Sequence, residues 1–139
     1  MREKLIEQLI RHEGEVLHAY ACPTGFTTIG IGRNIDKNGG KGITKLESKM
    51  LLTNDIAECE SDMQDVFGRA WEEFSDNRKI ALIDMRFNLG PNRFRGFRRM
   101  IAAIRKGDWE LAGKEAMDSR WATQVKRRSG VIYAQLVGG

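Results

Sequence analysis

Glu13 is the first residue whose position suggests chemistry, because it ends a predicted helix. Apolar residues recur at helical spacing over residues 2–12, which predicts a helix with a buried stripe made of Leu5, Ile6, Leu9 and Ile10. Gly14 is the residue type that commonly follows the last turn of a helix. A carboxyl group there faces the negative pole of the helix dipole, which favours its protonated form and suits a general acid.

Two further polar residues, Cys22 and Thr28, follow the predicted helix. In this region the spacing of the apolar residues changes to the alternation that is typical of β-strands. The alternating apolar residues of segment 16–31 predict a β-hairpin, whose turn is Cys22-Pro23-Thr24-Gly25. Gly30 and Gly32 alternate with isoleucines, and glycines at alternate strand positions indicate a face left bare for a close approach. We therefore expect one polar face to carry Glu13, Cys22 and Thr28 beside an open groove.

The next elements are predicted to be a loop and a long helix. Asn, Asp and Gly dominate residues 34–42, and Thr44-Lys45-Leu46-Glu47 has the pattern of a capping box. Apolar residues then recur at steps of three and four, giving a stripe made of Leu52, Ile56, Cys59, Met63 and Phe67. Its place on this stripe indicates that Cys59 is a buried structural thiol.

The remainder of the chain is predicted to be helical as well. Ser75 is expected to cap a central, largely buried helix that ends at Gly90-Pro91. Further helices are expected around residues 94–104, 109–117 and 131–136. Trp109 and Trp121 are expected in the core.

The composition limits the class of protein. A length of 139 residues fits one domain, 41% of the residues are hydrophobic and 30% are charged. No apolar run approaches the ~20 residues that span a bilayer, and the charged N-terminus does not resemble a signal peptide. Residues 1–91 carry a net charge of −3 and residues 92–139 a net charge of +7, which suits an anionic polymer such as nucleic acid or peptidoglycan.

The spacing of the polar residues resembles a known family. Glu13, eight residues, Cys22, five residues, Thr28 and then Ile29-Gly30-Ile31-Gly32 are similar to the phage lysozymes of glycoside hydrolase family 24. In that family the middle position is Asp or Cys. Matching segments continue along nearly the whole chain, at residues 42–44, 81–90, 96–97 and 119–121.

The resemblance implies an α+β, lysozyme-like fold with an active-site cleft between two lobes. The chain would be a single catalytic domain over residues 1–139. Its small mixed lobe with the β-hairpin would cover residues 13–55, and its helical lobe residues 56–139 together with helix 2–12. The segment after Gly32 is shorter than in longer relatives, which would leave a reduced small lobe and a more open cleft.

The resemblance also assigns roles to residues. Glu13 would be the general acid. On the opposite face of the sugar, Cys22 would activate a water or act as the nucleophile, and Thr28 would hold that water. A Cys22 thiolate could serve as base or nucleophile and a thiol could only position water, so inversion and retention both stay open. Substrate contacts would come from Phe87, Asn88, Leu89, Arg120 and Arg127. Two histidines outside the motif give no basis for a metal, and no cofactor is expected.

The function implied is that of an endolysin or muramidase, a glycoside hydrolase that cuts the β-1,4 bond between N-acetylmuramic acid and N-acetylglucosamine in peptidoglycan. Such an enzyme would be made in the cytoplasm without a signal peptide. It would reach the cell wall in the periplasm after a holin or similar partner permeabilises the membrane. We expect a monomer that neither inserts into membranes nor binds nucleic acid.

The sequence also allows two other functions and one other state of the cysteines. A lytic transglycosylase would cut the same bond with a catalytic Glu alone and leave Cys22 and Thr28 unused. A non-catalytic basic protein would bind the cell wall or nucleic acid through its C-terminal half, although no recognised nucleic-acid motif accompanies the charge. A disulfide between Cys22 and Cys59 would remove the free thiol.

Overall fold

Thr44 and Glu47 begin the longest helix through two reciprocal hydrogen bonds. In the computed structural model, which describes all 139 residues, the Glu47 amide donates to Thr44 Oγ1 (3.1 Å) and the Thr44 amide donates to Glu47 Oε1 (3.0 Å). These bonds satisfy amides that have no partner inside the first turn. The predicted capping box is therefore confirmed.

The chain forms nine helices and one three-stranded sheet, so the expected α+β class is confirmed. The helices are α1 (Arg2–Glu13), α2 (Lys45–Phe67), α3 (Ala70–Glu73), α4 (Asp76–Leu89), α5 (Pro91–Arg95), α6 (Arg98–Arg105), α7 (Trp109–Met117), α8 (Arg120–Gln124) and α9 (Lys126–Gly138). The strands are β1 (Val16–Ala21), β2 (Thr27–Gly30) and β3 (Arg33–Asn34). None of the helices has the length and apolarity needed to cross a membrane.

The residues fall into two compact units, Met1–Met50 and Leu51–Gly139. The first unit contains α1 and the sheet, and the second contains α3 to α9. The lobe boundaries expected from the resemblance, with helix 2–12 assigned to the helical lobe, stay a prediction.

The sheet of the first unit is antiparallel, with strand order β1-β2-β3. Val16 pairs with Gly30 and Tyr20 pairs with Thr28. The paired residues are therefore four positions apart along β1 but only two positions apart along β2. The extra residues form a bulge, which shortens the length that β1 spans and increases its bend. The predicted hairpin and its turn are confirmed.

Helix α1 forms as predicted, but the prediction of a buried stripe is wrong. Leu5, Ile6 and Leu9 are each more than 40% exposed, and no residue of α1 is buried. Helical spacing showed only that the apolar side chains share one face. It could not show whether another element covers that face.

The hydrophobic core belongs to the second unit. It consists of the second half of α2 together with α3 to α9, and its largest fully buried side chains include Phe94, Met63, Leu82, Met85 and Met100. Trp121 is buried and Trp109 packs partly buried against this core, as predicted. Ser75 caps α4 with its side chain, as predicted, and Asp108 caps α7 in the same way.

Two other helix predictions need correction. The single helix expected over residues 94–104 is two helices, because the chain leaves helical geometry at Phe97 (φ −78°, ψ 58°), directly after Gly96. Glycine favours such a break, since it has the lowest helix propensity after proline. Helix α4 is not buried all round, because Ile80 and Phe87 are 52% and 43% exposed.

The predicted stripe of α2 is buried only in its second half. Cys59, Met63 and Phe67 are buried, whereas Leu52 is 45% exposed. The buried Cys59 is a free thiol, as is Cys22. Arg86 Nη1 donates to Cys59 Sγ (3.6 Å), and burial raises the pKa of the Cys59 thiol.

We predict that two truncations on α2 differ widely in effect. Met63→Ala should lower the free energy of unfolding by about 2–5 kcal/mol, because it leaves a cavity in the core. Leu52→Ala, the matched control on the same apolar stripe, should cost about 0.5 kcal/mol or less, as exposed substitutions do. Urea unfolding monitored by circular dichroism measures both values, and equal losses would contradict the burial described for α2.

Candidate active site

Glu13 lies where the sequence predicts it, at the last position of α1. The Gly14 amide closes the helix by donating to the Ile10 carbonyl (2.8 Å), and Gly14 has a positive φ of 74°. The Glu13 side chain then lies directly against Gly32. A methyl group on the Gly32 Cα would stand 2.8 Å from Glu13 Oε2 and 3.1 Å from Glu13 Cδ.

The group that approaches a bare glycine is thus the Glu13 carboxylate. Real Cβ atoms do not approach other atoms this closely, so a side chain at position 32 would require the end of the Glu13 side chain to shift. A methyl group on the Gly30 Cα would have no atom within 4 Å, so no side chain packs against Gly30 in this way. The glycine pattern indicated the close approach but not which of the two glycines makes it.

Cys22 begins the turn that joins β1 to β2. Its amide donates to the Phe26 carbonyl (2.9 Å), and the Gly25 amide donates to the Cys22 carbonyl (2.8 Å). The thiol is half-buried, and its Sγ is hydrogen-bonded to Thr24 Oγ1 at 3.0 Å. The turn therefore fixes both the backbone and the side chain of Cys22.

These hydrogen bonds lower the pKa of Cys22 to about 7 from an ordinary value of 9.0. The Thr24 hydroxyl makes the largest contribution, with smaller ones from backbone groups of Phe26 and Thr24 and from the Thr28 hydroxyl, against an opposing effect of burial. Roughly half of the thiol is then thiolate at neutral pH. Thr24 was not recognised as a site residue, although a hydroxyl two residues after Cys22 in a turn commonly bonds locally.

Thr28 is buried, with 4% of its surface exposed. Its Oγ1 donates to the Phe26 carbonyl (2.9 Å), so the hydroxyl oxygen keeps lone pairs that can accept from a water. Because Tyr20 lies opposite Thr28, Cys22 and Thr28 are diagonal neighbours on one face of the hairpin, about 7–8 Å apart at Cα. The structure therefore brings Cys22 and Thr28 together.

Three polar contacts hold β2 and β3 in place around Thr28. Asp36 Oδ2 accepts from the Thr27 amide (2.9 Å), and this bond is the main reason that the pKa of Asp36 is lowered. Arg33 donates to the Gly42 carbonyl (3.1 Å) and pairs with Glu47 (2.9 Å). The Arg33 guanidinium is the main cause that lowers the pKa of Glu47 to about 2.

Three of the residues expected to contact substrate lie at the end of α4. Phe87 and Asn88 are exposed, whereas Leu89 is 6% exposed and belongs to the core. Asn88 Oδ1 accepts from the Trp121 indole N–H at 2.8 Å. The structure thus joins Asn88 to α8 and leaves Phe87 with a free aromatic surface.

Arg120 and Arg127 are exposed, and their side chains have no hydrogen bond or ion pair within the chain. Arg128, beside Arg127, pairs instead with Asp84 (2.7 Å). The two residues expected to bind substrate carboxylates therefore carry uncommitted guanidinium groups. No group of three or more His, Cys, Asp or Glu side chains is arranged to hold a metal ion.

Comparison with known proteins gives a family match over most of the chain. The family model described as phage lysozyme matches residues 10–135. The pre-baseplate central spike protein Gp5 of Enterobacteria phage T4 is 30% identical over 97% of this chain, which spans only 28% of that protein. A probable T4-type lysozyme 2 of Dictyostelium discoideum is 28% identical, covering 96% of this chain and 94% of that protein.

A third relative is an endolysin of Acyrthosiphon pisum secondary endosymbiont phage 1, 28% identical over 86% of this chain and 78% of the relative. The alignment to the phage T4 spike protein extends over 160 positions, so at least 21 positions have no counterpart in the 139 residues of this chain. The match over residues 10–135 includes Glu13, Cys22 and Thr28, and the chain belongs to the phage lysozyme family.

Proposed function

We propose that this chain is a lysozyme, a glycosidase that hydrolyses bacterial peptidoglycan between N-acetylmuramic acid and N-acetylglucosamine. The observation that carries the proposal is the placement of the Glu13 carboxylate against Gly32, in the same unit as the Cys22–Thr28 pair. Membership of the phage lysozyme family and relatives named as endolysins support a cell-wall substrate.

In the proposed reaction Glu13 acts as general acid. Its carboxyl proton moves to the O4 oxygen of N-acetylglucosamine while the bond from that oxygen to C1 of N-acetylmuramic acid breaks. Because Gly32 has no side chain, the carboxyl stays accessible at the edge of the sheet.

Cys22 supplies the group on the opposite face of the sugar. Its thiolate, available because the pKa is about 7, takes a proton from a water whose oxygen bonds to C1, or attacks C1 itself before water releases the sugar. The Thr28 hydroxyl oxygen accepts a hydrogen bond from that water. The anomeric configuration of the first product distinguishes these two routes, because direct attack retains it and water attack inverts it.

Substrate binding is assigned to the second unit. Phe87 offers an exposed aromatic surface for a sugar ring, and Asn88 is oriented by Trp121. Arg120 and Arg127 would bind carboxylates of the wall polymer through paired hydrogen bonds. Leu89 would contribute indirectly, because its buried side chain fixes the end of α4 against the core. The proposal further includes a monomeric enzyme that acts at the cell wall, with a membrane-permeabilising partner of the holin type.

We predict that Glu13→Gln lowers the rate of lysis by at least ~10²-fold, because the amide keeps the size of the side chain but has no proton to transfer. Glu15→Gln, an exposed carboxylate two residues away, is the matched control and should lyse cells like the native protein. The measurement is the fall in turbidity of Gram-negative cells whose outer membrane has been permeabilised. Equal lysis by native protein and Glu13→Gln would remove Glu13 from the reaction.

The products of the same digest separate hydrolysis from lytic transglycosylation. Hydrolysis leaves a reducing N-acetylmuramic acid, whereas transglycosylation leaves a 1,6-anhydro sugar. The thiolate and hydroxyl near the reaction site favour the use of water, so we expect reducing ends. A predominance of 1,6-anhydro products, detected by mass spectrometry, would favour the transglycosylase.

We predict that alkylation of Cys22 by iodoacetamide rises with pH and is half-maximal near pH 7, because only the thiolate reacts and the pKa of Cys22 is about 7. Cys22→Ser, which leaves only the buried Cys59, is the control and should stay unmodified. Alkylation with a midpoint near the ordinary value of 9.0 would contradict the lowered pKa.

A further inference from the structure

The loop between β3 and α2 contains the one Asn-Gly pair of the chain. Asparagine occurs at six positions, and only Asn38 is followed by glycine. Asn38 and Gly39 lie in an exposed turn, and Gly39 has a positive φ of 88°. None of the residues assigned above to catalysis or substrate binding lies in this turn.

Two groups of this pair are free to react with each other, the side-chain amide of Asn38 and the backbone amide of Gly39. Neither has a hydrogen-bond partner within the chain. The backbone amides on either side are occupied, since those of Asn38 and Gly40 donate to Asp36 Oδ1 (2.9 Å) and to the Asp36 carbonyl (2.8 Å). The Gly39 nitrogen is also unhindered, because glycine carries no side chain beside it.

We propose that Asn38 is a site of spontaneous deamidation. The Gly39 nitrogen loses its proton to hydroxide and bonds to Asn38 Cγ. The bond from Cγ to the side-chain nitrogen then breaks, and ammonia leaves with a proton from water, which regenerates hydroxide. The cyclic imide takes up one water molecule. It opens either to aspartate or to isoaspartate, in which the main chain continues through the side chain.

A second asparagine of the same loop lacks these features. Asn34 is followed by Ile35, whose amide donates to the Thr27 carbonyl (2.9 Å). The β-branched side chain of Ile35 also crowds its own amide nitrogen. In addition, Asn34 Oδ1 is held by the Asp36 amide (3.0 Å). Asn38 is therefore the asparagine of this loop that reacts, and Asn34 is its internal control.

The isoaspartate product disturbs the turn because it adds one carbon to the main chain between residues 38 and 39. That carbon lies between the two backbone amides, of Asn38 and Gly40, that are bonded to Asp36. The turn is tightly closed at this point, since a methyl group on the Gly40 Cα would overlap the Asp36 carbonyl oxygen. The longer chain therefore breaks at least one of the two bonds to Asp36.

The effect reaches the sheet through Asp36. Its Oδ2 accepts from the Thr27 amide (2.9 Å) at the start of β2, directly before Thr28. An ordinary aspartate at position 38 adds a charge but leaves the length of the main chain unchanged. The reaction needs only water, so the modification does not depend on the proposed activity.

The test is incubation of the folded protein in mildly alkaline buffer until half of a free peptide with the sequence Ile35–Gly42 is converted. Peptide mapping by mass spectrometry locates the gain of about one dalton. We expect Asn38 to convert at least about tenfold faster than Asn34. Asn38→Gln, which keeps an amide on a longer side chain, is the matched control and should gain no mass in this segment.

Amide hydrogen exchange tests the effect on the turn. The isoaspartate form, separated by ion-exchange chromatography, is compared with Asn38→Asp, which has the same charge and a normal main chain. We expect faster exchange at Thr27 and Gly40 in the isoaspartate form and native exchange in Asn38→Asp.

Two results would overturn the modification site: retention of Asn38 in the folded protein while the free peptide is converted, or equal conversion of Asn34 and Asn38. Equal exchange in the isoaspartate form and in Asn38→Asp would overturn the release of the turn from Asp36.

Discussion

The placement of Glu13 depends on the absence of a side chain at Gly32. The helix that carries Glu13 ends at Gly14, and the nearest carboxylate oxygen then lies 2.8 Å from the position that a Cβ on Gly32 would take. Two glycines with positive φ, one after the helix and one after the sheet strand, are needed for this single contact.

Cys22, the second catalytic residue of the proposed reaction, has its thiolate stabilised by local hydrogen bonds and not by a neighbouring positive charge. A thiol with an unperturbed pKa would be mostly protonated at neutral pH, and no cationic side chain contributes to its shift. The Thr24 hydroxyl and backbone groups of the tight turn supply the stabilisation of the thiolate. A Cys at this position can therefore carry negative charge, as an Asp does, provided that the turn keeps its geometry.

Sequence patterns predicted local features well. They predicted poorly which apolar helix faces are buried against other elements. The capping box at Thr44 and Glu47, the cap at Ser75 and the hairpin turn at Cys22 all follow from residues close together in the chain. The exposed stripe of α1 and the exposed Leu52 were mispredicted, because periodicity gives the apolar face but not its partner.

The most direct test of the site is to place a methyl group at Gly32. We expect Gly32→Ala to lose at least about tenfold in wall hydrolysis, because its Cβ must displace the Glu13 carboxylate. Gly39→Ala, which has the same positive-φ strain (φ 88°) but nothing within 4 Å of its Cβ, controls for backbone strain and should keep native activity. Both variants are compared at matched folded fractions. Activity of Gly32→Ala equal to that of Gly39→Ala would contradict the account.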